Sequence, residues 1–122
     1  MKIIQKTVTV NNSVEYHSKH LQLINPFLPV ELSPKEREIL GTFMSFKGEL
    51  AEKERFGTSY RKEVKNLLSM SDGNLTNHIS SLRLKGAIVE NPQGTLYIPS
   101  FLFPEQEKQF YQFKVVYNES NP

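Results

Sequence analysis

Cysteine is absent from the 122 residues. Its absence excludes disulfides and cysteine-based zinc sites, and it fits a reducing compartment. No apolar run approaches the roughly 20 residues that a membrane span requires, and the first ten residues alternate in polarity, unlike a signal peptide. We therefore expect a protein of the cytoplasm, or of a host cytoplasm if it comes from a virus or mobile element, with no membrane partner.

A strong net charge is also lacking, since 15 basic and 13 acidic residues leave a formal charge of +2. The distribution is uneven. Residues 33–86 carry ten basic and seven acidic side chains, whereas residues 87–122 carry two and four. Any non-specific affinity for nucleic acid is therefore expected to be modest and to fall with salt.

Arrangements typical of enzymes are missing as well. The serines have no glycine-flanked elbow, and no glycine-rich loop could cradle a phosphate. His17 and His20 are three residues apart with Glu15 nearby, but this group lacks a fourth ligand and a metal site is not predicted. We expect a protein that is not an enzyme and has no cofactor.

The flanks of the chain show strand-like alternation. Ile4, Val8 and Val10 predict an N-terminal strand, residues 14–17 a return strand, and Pro26 with Pro29 an extended segment rather than a helix. Residues 109–117 predict a C-terminal strand that pairs with the N-terminal one. Such terminal strands could instead pair between two chains, as a homodimer or with a protein partner.

Between the flanks, three helices are predicted. Ser33, Pro34 and Glu36 form the start of the first, as cap, first-turn proline and capping-box glutamate. Residues 48–57 are predicted to be a loop or short helical turn, and Thr58 or Ser59 caps the second helix. The expected buried stripes of these two helices are Ile39, Leu40, Phe43 and Met44, then Tyr60, Val64, Leu67 and Leu68.

The stretch from residue 71 to residue 98 is the most informative. Ser71 is a suitable cap for a third helix, which would bury Leu75, Ile79 and Leu82 and end at Gly86. Two short apolar runs, 87–90 and 95–98, surround a turn at 91–94 and predict a β-hairpin. A short connection, 69–74, would set the second and third helices at a steep angle.

The sequence D-G-N-L-T-N-H-I-S-S-L-R-L-K-G-A-I-V-E, residues 72–90, resembles the recognition helix and first wing strand of winged helix-turn-helix regulators of the MarR and ArsR type. The resemblance covers roughly residues 33–99, although the chain has no arginine at its hairpin tip. It implies an α+β fold of three helices plus a β-hairpin wing, here with extra N- and C-terminal strands. The expected divisions are 1–32 packing on the core, 33–99 as the winged domain, and 100–122 as strand and tail.

This pattern predicts sequence-specific binding of double-stranded DNA by a small transcriptional regulator. Short amides and hydroxyls suit the reading of base edges in the major groove, and the preceding basic helix suits phosphate contact. The expected DNA-binding residues are Ser71, Asn74, Thr76, Asn77, His78, Ser81, Arg61, Lys62, Lys65 and Lys85. The alternative is a winged-helix interaction module that does not use the fold on DNA, such as an accessory factor of a transcription or replication complex, or a protein of a virus or mobile element.

Overall fold

The computed structural model describes residues 1–105 and 107–119. In that part of the chain the architecture is mixed: five α-helices and one two-stranded antiparallel sheet. The elements are α1 (Ser13–Ile24), α2 (Pro34–Met44), α3 (Glu49–Glu54), α4 (Thr58–Leu68), α5 (Asp72–Leu84), β1 (Val89–Glu90) and β2 (Leu96–Tyr97), with 3₁₀ turns at Asn25–Phe27 and Ser100–Leu102. None of the described helices is long and apolar enough to cross a membrane.

Helix α1 corrects the prediction for the N-terminal flank. Residues 14–17 are helical instead of forming a strand, and residues 20–27 are mostly helical instead of extended. The helix starts because the side chain of Asn12 accepts a hydrogen bond from Glu15 N at 2.9 Å. Pro26 lies after the end of α1, in the first turn of the following 3₁₀ segment, where a missing N–H is tolerated. The proline therefore marks where α1 ends and does not prevent it from forming.

The predicted terminal strands are also wrong for the described residues. Residues 1–10 and 109–117 have no regular secondary structure, and the single sheet consists of β1 and β2. Alternating polarity shows that a segment could line one face of a sheet, but a strand needs a hydrogen-bonded neighbour. These two segments do not supply that neighbour to one another.

Helix α2 begins as its sequence predicts. Ser33 Oγ accepts from Glu36 N at 3.2 Å, and Glu36 Oε1 accepts from Ser33 N at 2.7 Å, which completes the capping box. The predicted stripe of α2 is fully or almost fully buried, from Ile39 to Met44. Gly41 lies on the same helix against Ser18 of α1, and α1 packs against α2 more extensively than any other pair of elements.

Helix α4 differs from its prediction in two details. Its N-cap is Gly57, so neither Thr58 nor Ser59 caps it, and both are exposed. Val64 is buried and Tyr60 and Leu68 are half-buried as expected, whereas the Leu67 side chain is 58% exposed. Leu67 lies about 60° around the helix from Val64, at the edge of the stripe, where helical spacing alone does not ensure burial.

One apolar core connects the hairpin with all of the described helices except the short α3. It contains Leu21 from α1, Phe43 from α2, Val64 from α4, Leu82 from α5 and Ile98 beside β2. The loop between α1 and α2 is closed by Asn25, whose side chain accepts from Leu32 N at 2.7 Å and donates to Leu32 O at 3.2 Å. The helices α2, α4 and α5 contact one another in all three pairings, so α5 is held by two neighbours with its remaining side free.

Candidate nucleic-acid interface

Helix α5 is amphipathic, with Leu75, Ile79 and Leu82 buried as predicted. At about 100° per residue, the side of α5 opposite this stripe is a row of four positions that we call the outer row. All four are exposed: Gly73, Asn77, Ser80 and Leu84. Leu84 is 90% exposed. Gly73, Asn77 and Ser80 are small and uncharged, and Leu84 adds an apolar side chain at the end of the outer row.

The flank of α5 that faces α4 is tied to it by two polar contacts. Arg61 Nη2 donates to Thr76 Oγ1 at 3.0 Å, and Lys65 Nζ lies 3.2 Å from Asp72 Oδ1. Both contacts are at the surface, since Thr76 and Asp72 are exposed. The predicted phosphate-binding residues Arg61 and Lys65 thus lie beside α5, and Lys62 of the same helix is exposed.

The flank of α5 that faces α2 contains a buried carboxylate. Glu36 Oε2 accepts from Ser81 Oγ at 2.6 Å, and Glu36 Oε1 accepts from Lys85 Nζ at 2.6 Å. The side chain of Glu36 is only 4% exposed and that of Lys85 is 28% exposed. Ser81 and Lys85 therefore hold α5 to α2.

Glu36 has a pKa far from the ordinary carboxyl value. Burial by itself would raise its pKa, but hydrogen bonds from Lys85, the Ser33 backbone and Ser81 outweigh burial and lower it to about 2. The carboxylate is therefore charged throughout the neutral and mildly acidic range. The Glu36–Lys85 ion pair and the buried Leu75, Ile79 and Leu82 together hold α5 in one rotation about its axis, and with it the direction of the outer row.

The connection from α4 to α5 is a tight reversal. Ser69 adopts the left-handed conformation with φ of 52°, and Met70 N donates to Lys65 O at 2.9 Å. Ser71 then caps α5 as predicted, its Oγ accepting from Asn74 N at 3.1 Å. Two residues separate the left-handed position from the first residue of α5, which places α4 and α5 next to each other at the surface.

A hairpin follows α5 directly. Gly86, with φ of +80°, ends the helix in the left-handed conformation, and β1 pairs with β2 in the register Val89 with Tyr97 and Glu90 with Leu96. The turn is closed by Asn91, whose Oδ1 accepts from Gln93 N and Thr95 N at 3.0 and 2.9 Å. A shallow cleft of about 490 Å³ separates α5 from β1 and includes Arg83 and Glu90, an ion pair at 3.3 Å.

The predicted residues divide into two groups. Three are exposed on or beside the free surface of α4 and α5: Asn74, Asn77 and Lys62. The side chains of the other seven are engaged in contacts within the chain: Ser71, Thr76, His78, Ser81, Arg61, Lys65 and Lys85. His78 is half-buried, and its Nδ1 donates to Asn74 O at 2.9 Å.

Three further exposed residues of this surface are absent from the predicted set: Ser80, Arg83 and Leu84. Helical spacing alone places Ser80 and Leu84 opposite Leu75, Ile79 and Leu82, so a signal for them exists in the sequence. A prediction based on polar residue type favours Ser81 and Lys85, which face α2. A prediction based on angular position favours Ser80 and Leu84, which face outward.

The two histidines of α1 have structural partners. His17 Nδ1 donates to Ser13 O at 2.7 Å, and its ring lies edge-on to Phe103. His20 Nε2 donates to Leu102 O at 2.9 Å, and its Nδ1 accepts from Tyr111 Oη at 2.6 Å. Burial lowers the pKa of both rings, so both are neutral near pH 7. Within the described residues no three metal-ligating side chains come together.

Comparison of the chain with protein-family models, with curated proteins and with solved structures finds no match.

Proposed function

We propose that this chain binds duplex DNA with sequence specificity, as a small transcriptional regulator of winged helix-turn-helix form. In this arrangement α2, α4 and α5 are its three helices, α5 enters the major groove and the β1–β2 hairpin is the wing. The proposal is supported by the mutual contacts of these three helices and by the hairpin that directly follows α5.

The observation that carries the proposal is the free side of α5. Asn77 and Ser80 are exposed on the outer row, and Asn74 and Thr76 are exposed on either side of it. An asparagine side chain can form two hydrogen bonds with the edge of adenine, and a serine or threonine hydroxyl bonds to several bases. Leu84 would add an apolar surface suited to a thymine methyl group.

The basic side chains suit the neighbouring phosphates. Helices α4 and α5 carry four basic and two acidic residues, and Lys62 is exposed near the middle of α4, the helix that would cross the DNA backbone. Arg61 and Lys65 bond to Thr76 and Asp72 at the protein surface. Because exposed pairs of this kind are weak, a phosphate could replace the protein partner at small cost.

The test is a change of the reading face that leaves the fold intact. In the double variant Asn74→Ala/Asn77→Ala, both amides are removed from exposed positions, so stability should change little. Binding to a duplex selected from a random pool should weaken by about 1–3 kcal/mol for each asparagine that reads a base, measured by fluorescence anisotropy. Gln22→Ala removes an exposed amide from α1 and serves as the matched control. Unchanged affinity of the double variant would reject this reading face.

A second candidate function, a protein-interaction module, is favoured by apolar side chains exposed outside α5. Phe27, Val30 and Phe101 are 65%, 47% and 65% exposed. The modest charge of the α4–α5 surface also fits a protein partner, because Lys65, Arg83 and Lys85 all have acidic partners. A gel shift with random-sequence duplex DNA distinguishes the two functions. A DNA-binding protein should bind at low salt and lose affinity as salt rises, whereas an interaction module should bind at neither low nor high salt.

A further inference from the structure

The C-terminal segment, residues 109–117, is anchored to the body of the protein at one end only. Tyr111 Oη donates to His20 Nδ1 at 2.6 Å, and the Phe113 ring stacks on Phe27 with centroids 5.1 Å apart. Tyr111 is half-buried by these contacts. Beyond Phe113 the segment leaves the body, since Val115 is 96% exposed and Tyr117 83% exposed.

The same segment has the character of an unpaired strand. In an extended chain alternate side chains share a face, so Val115 and Tyr117 continue the face of Tyr111 and Phe113. The other face carries Phe110 and Val116, which are 83% and 70% exposed. No backbone–backbone hydrogen bond joins residues 109–117 to any other described residue. An exposed apolar segment with free backbone donors and acceptors is a template for strand addition.

We propose that this segment pairs antiparallel with the same segment of a second copy, so that the protein is a symmetric homodimer. The segment is complementary to a second copy of itself. With the two-fold axis at Val115, each Phe113 lies opposite the other copy's Tyr117, and each Lys114 lies opposite Val116. Aromatic and β-branched side chains are favourable cross-strand partners. Lys114 is the one charged residue between 109 and 117, so no like charges are opposed.

The anchoring contacts also favour this register. The bodies of the two copies are attached near Tyr111 and Phe113, on the same face of the ribbon. With the axis at Val115, the two attachment points are about 20 Å apart along the strands at roughly 3.3 Å per residue. With the axis at Phe113 instead, the two attachment points would lie almost opposite each other, and the bodies of the two copies would collide. Pairing of about seven residues from each copy buries much less surface than a standard interface of about 1,600 Å². The dimer should therefore be weak, and its population should depend on protein concentration.

Sedimentation velocity of the full chain without DNA, from about 1 to about 200 µM, tests the dimer. We expect a shift from monomer to dimer across this range. Val115→Asp should weaken association at least about ten-fold, because it places two carboxylates opposite each other at the axis. Val115 is almost fully exposed in one copy, so the variant should fold normally by circular dichroism. Leu50→Asp, which changes a leucine 56% exposed on α3, is the matched control and should leave association unchanged.

The lack of cysteine permits a second, geometric test. In an antiparallel pair, residues directly opposite have Cα atoms about 4.5–5.5 Å apart, within reach of a disulfide. Val115→Cys should therefore form an intermolecular disulfide readily on mild oxidation, and Thr9→Cys in the exposed N-terminal segment should form little. The proposal is overturned if the protein stays monomeric throughout, if both aspartate variants weaken association equally, or if Thr9→Cys cross-links as well as Val115→Cys. None of these outcomes bears on whether α5 binds DNA.

Discussion

Gly41 lies where α2 closely approaches Ser18 of α1. A Cβ at this position would lie 2.5 Å from Ser18 Oγ and 2.9 Å from Ser18 N. The hydroxyl could rotate away, but the backbone nitrogen can move only with the helix. Gly41 is therefore required by packing, although glycine is a poor residue for a helix interior.

Gly41→Ala should destabilise the protein by about 1–3 kcal/mol, the range typical of overpacking a tight contact. Urea unfolding followed by circular dichroism would measure the change. Gly73→Ala is the matched control, because a Cβ there meets no atom within 4 Å and alanine favours the helix by up to about 1 kcal/mol. Equal stability of the two variants would show that α1 and α2 can separate slightly without loss.

At the scale of the element, the C-terminal segment is held by a histidine that burial keeps neutral. His20 donates from Nε2 to Leu102 O and accepts at Nδ1 from Tyr111, whereas protonation would place a charge in this buried contact and require the Tyr111 hydroxyl to turn round and accept. Burial lowers the pKa of His20, with a further lowering from the nearby His17. The docked segment is thus stable above the ordinary histidine pKa of 6.5, and docking weakens as pH falls below that value.

Acidification from pH 7.5 to about 5 should accordingly release the segment, seen as a shift of the Phe113 ring resonances toward solvent values in NMR spectra. His20→Gln keeps one donor and one acceptor without titrating, so its spectra should change much less over the same range. Tyr111→Phe removes the hydroxyl and should leave the segment loosely docked even at pH 7.5. Phe113 resonances that do not respond to pH in the unaltered protein would contradict this role of His20.

For the whole molecule, the sequence predicted the elements whose signals are local. Ser33 with Glu36, and Ser71 with Gly86, define where α2 begins and where α5 begins and ends, because caps act within a few residues. The hairpin followed from a Pro- and Gly-containing turn between two apolar runs. Apolar spacing also identified the buried residues of α5, although the whole assignment as a winged helix stays a proposal.

The elements that were missed depend on distant contacts. Helix α1 has a local start signal in Asn12, but its packing across α2 and the bonds of its His20 to Leu102 and Tyr111, more than 80 residues away, are revealed by no local pattern. The alternating polarity of the two terminal segments predicted strands. A strand also needs a hydrogen-bonded partner strand, and the pattern does not identify that partner. In the candidate site, Glu36 is identifiable as part of a capping box, while its bonds to Ser81 and Lys85 join residues 45 and 49 positions apart.

The Glu36–Lys85 ion pair links the stability of the whole domain to pH. The Glu36 pKa falls from an ordinary 4.5 to about 2 on folding, so its stabilisation is complete above about pH 4.5 and is lost as pH falls toward 2. At 1.36 kcal/mol per pKa unit, this amounts to about 3 kcal/mol as an upper value. Glu36→Gln preserves the size of the side chain but leaves Lys85 without its partner, so it should destabilise at pH 7 and flatten the acid limb of a plot of unfolding free energy against pH.

Lys53→Met is a suitable control for that experiment, because it breaks the Lys53–Glu49 pair, whose side chains are 70% and 83% exposed. Exposed pairs contribute at most about 1 kcal/mol, so this variant should retain the full acid limb. If Glu36→Gln and the unaltered protein lost stability in parallel between pH 5 and pH 2, other carboxylates would carry the acid sensitivity. The rotation of α5 would then be set by the packing of Leu75, Ile79 and Leu82 alone, and Glu36→Gln should leave the exposure of the outer row unchanged.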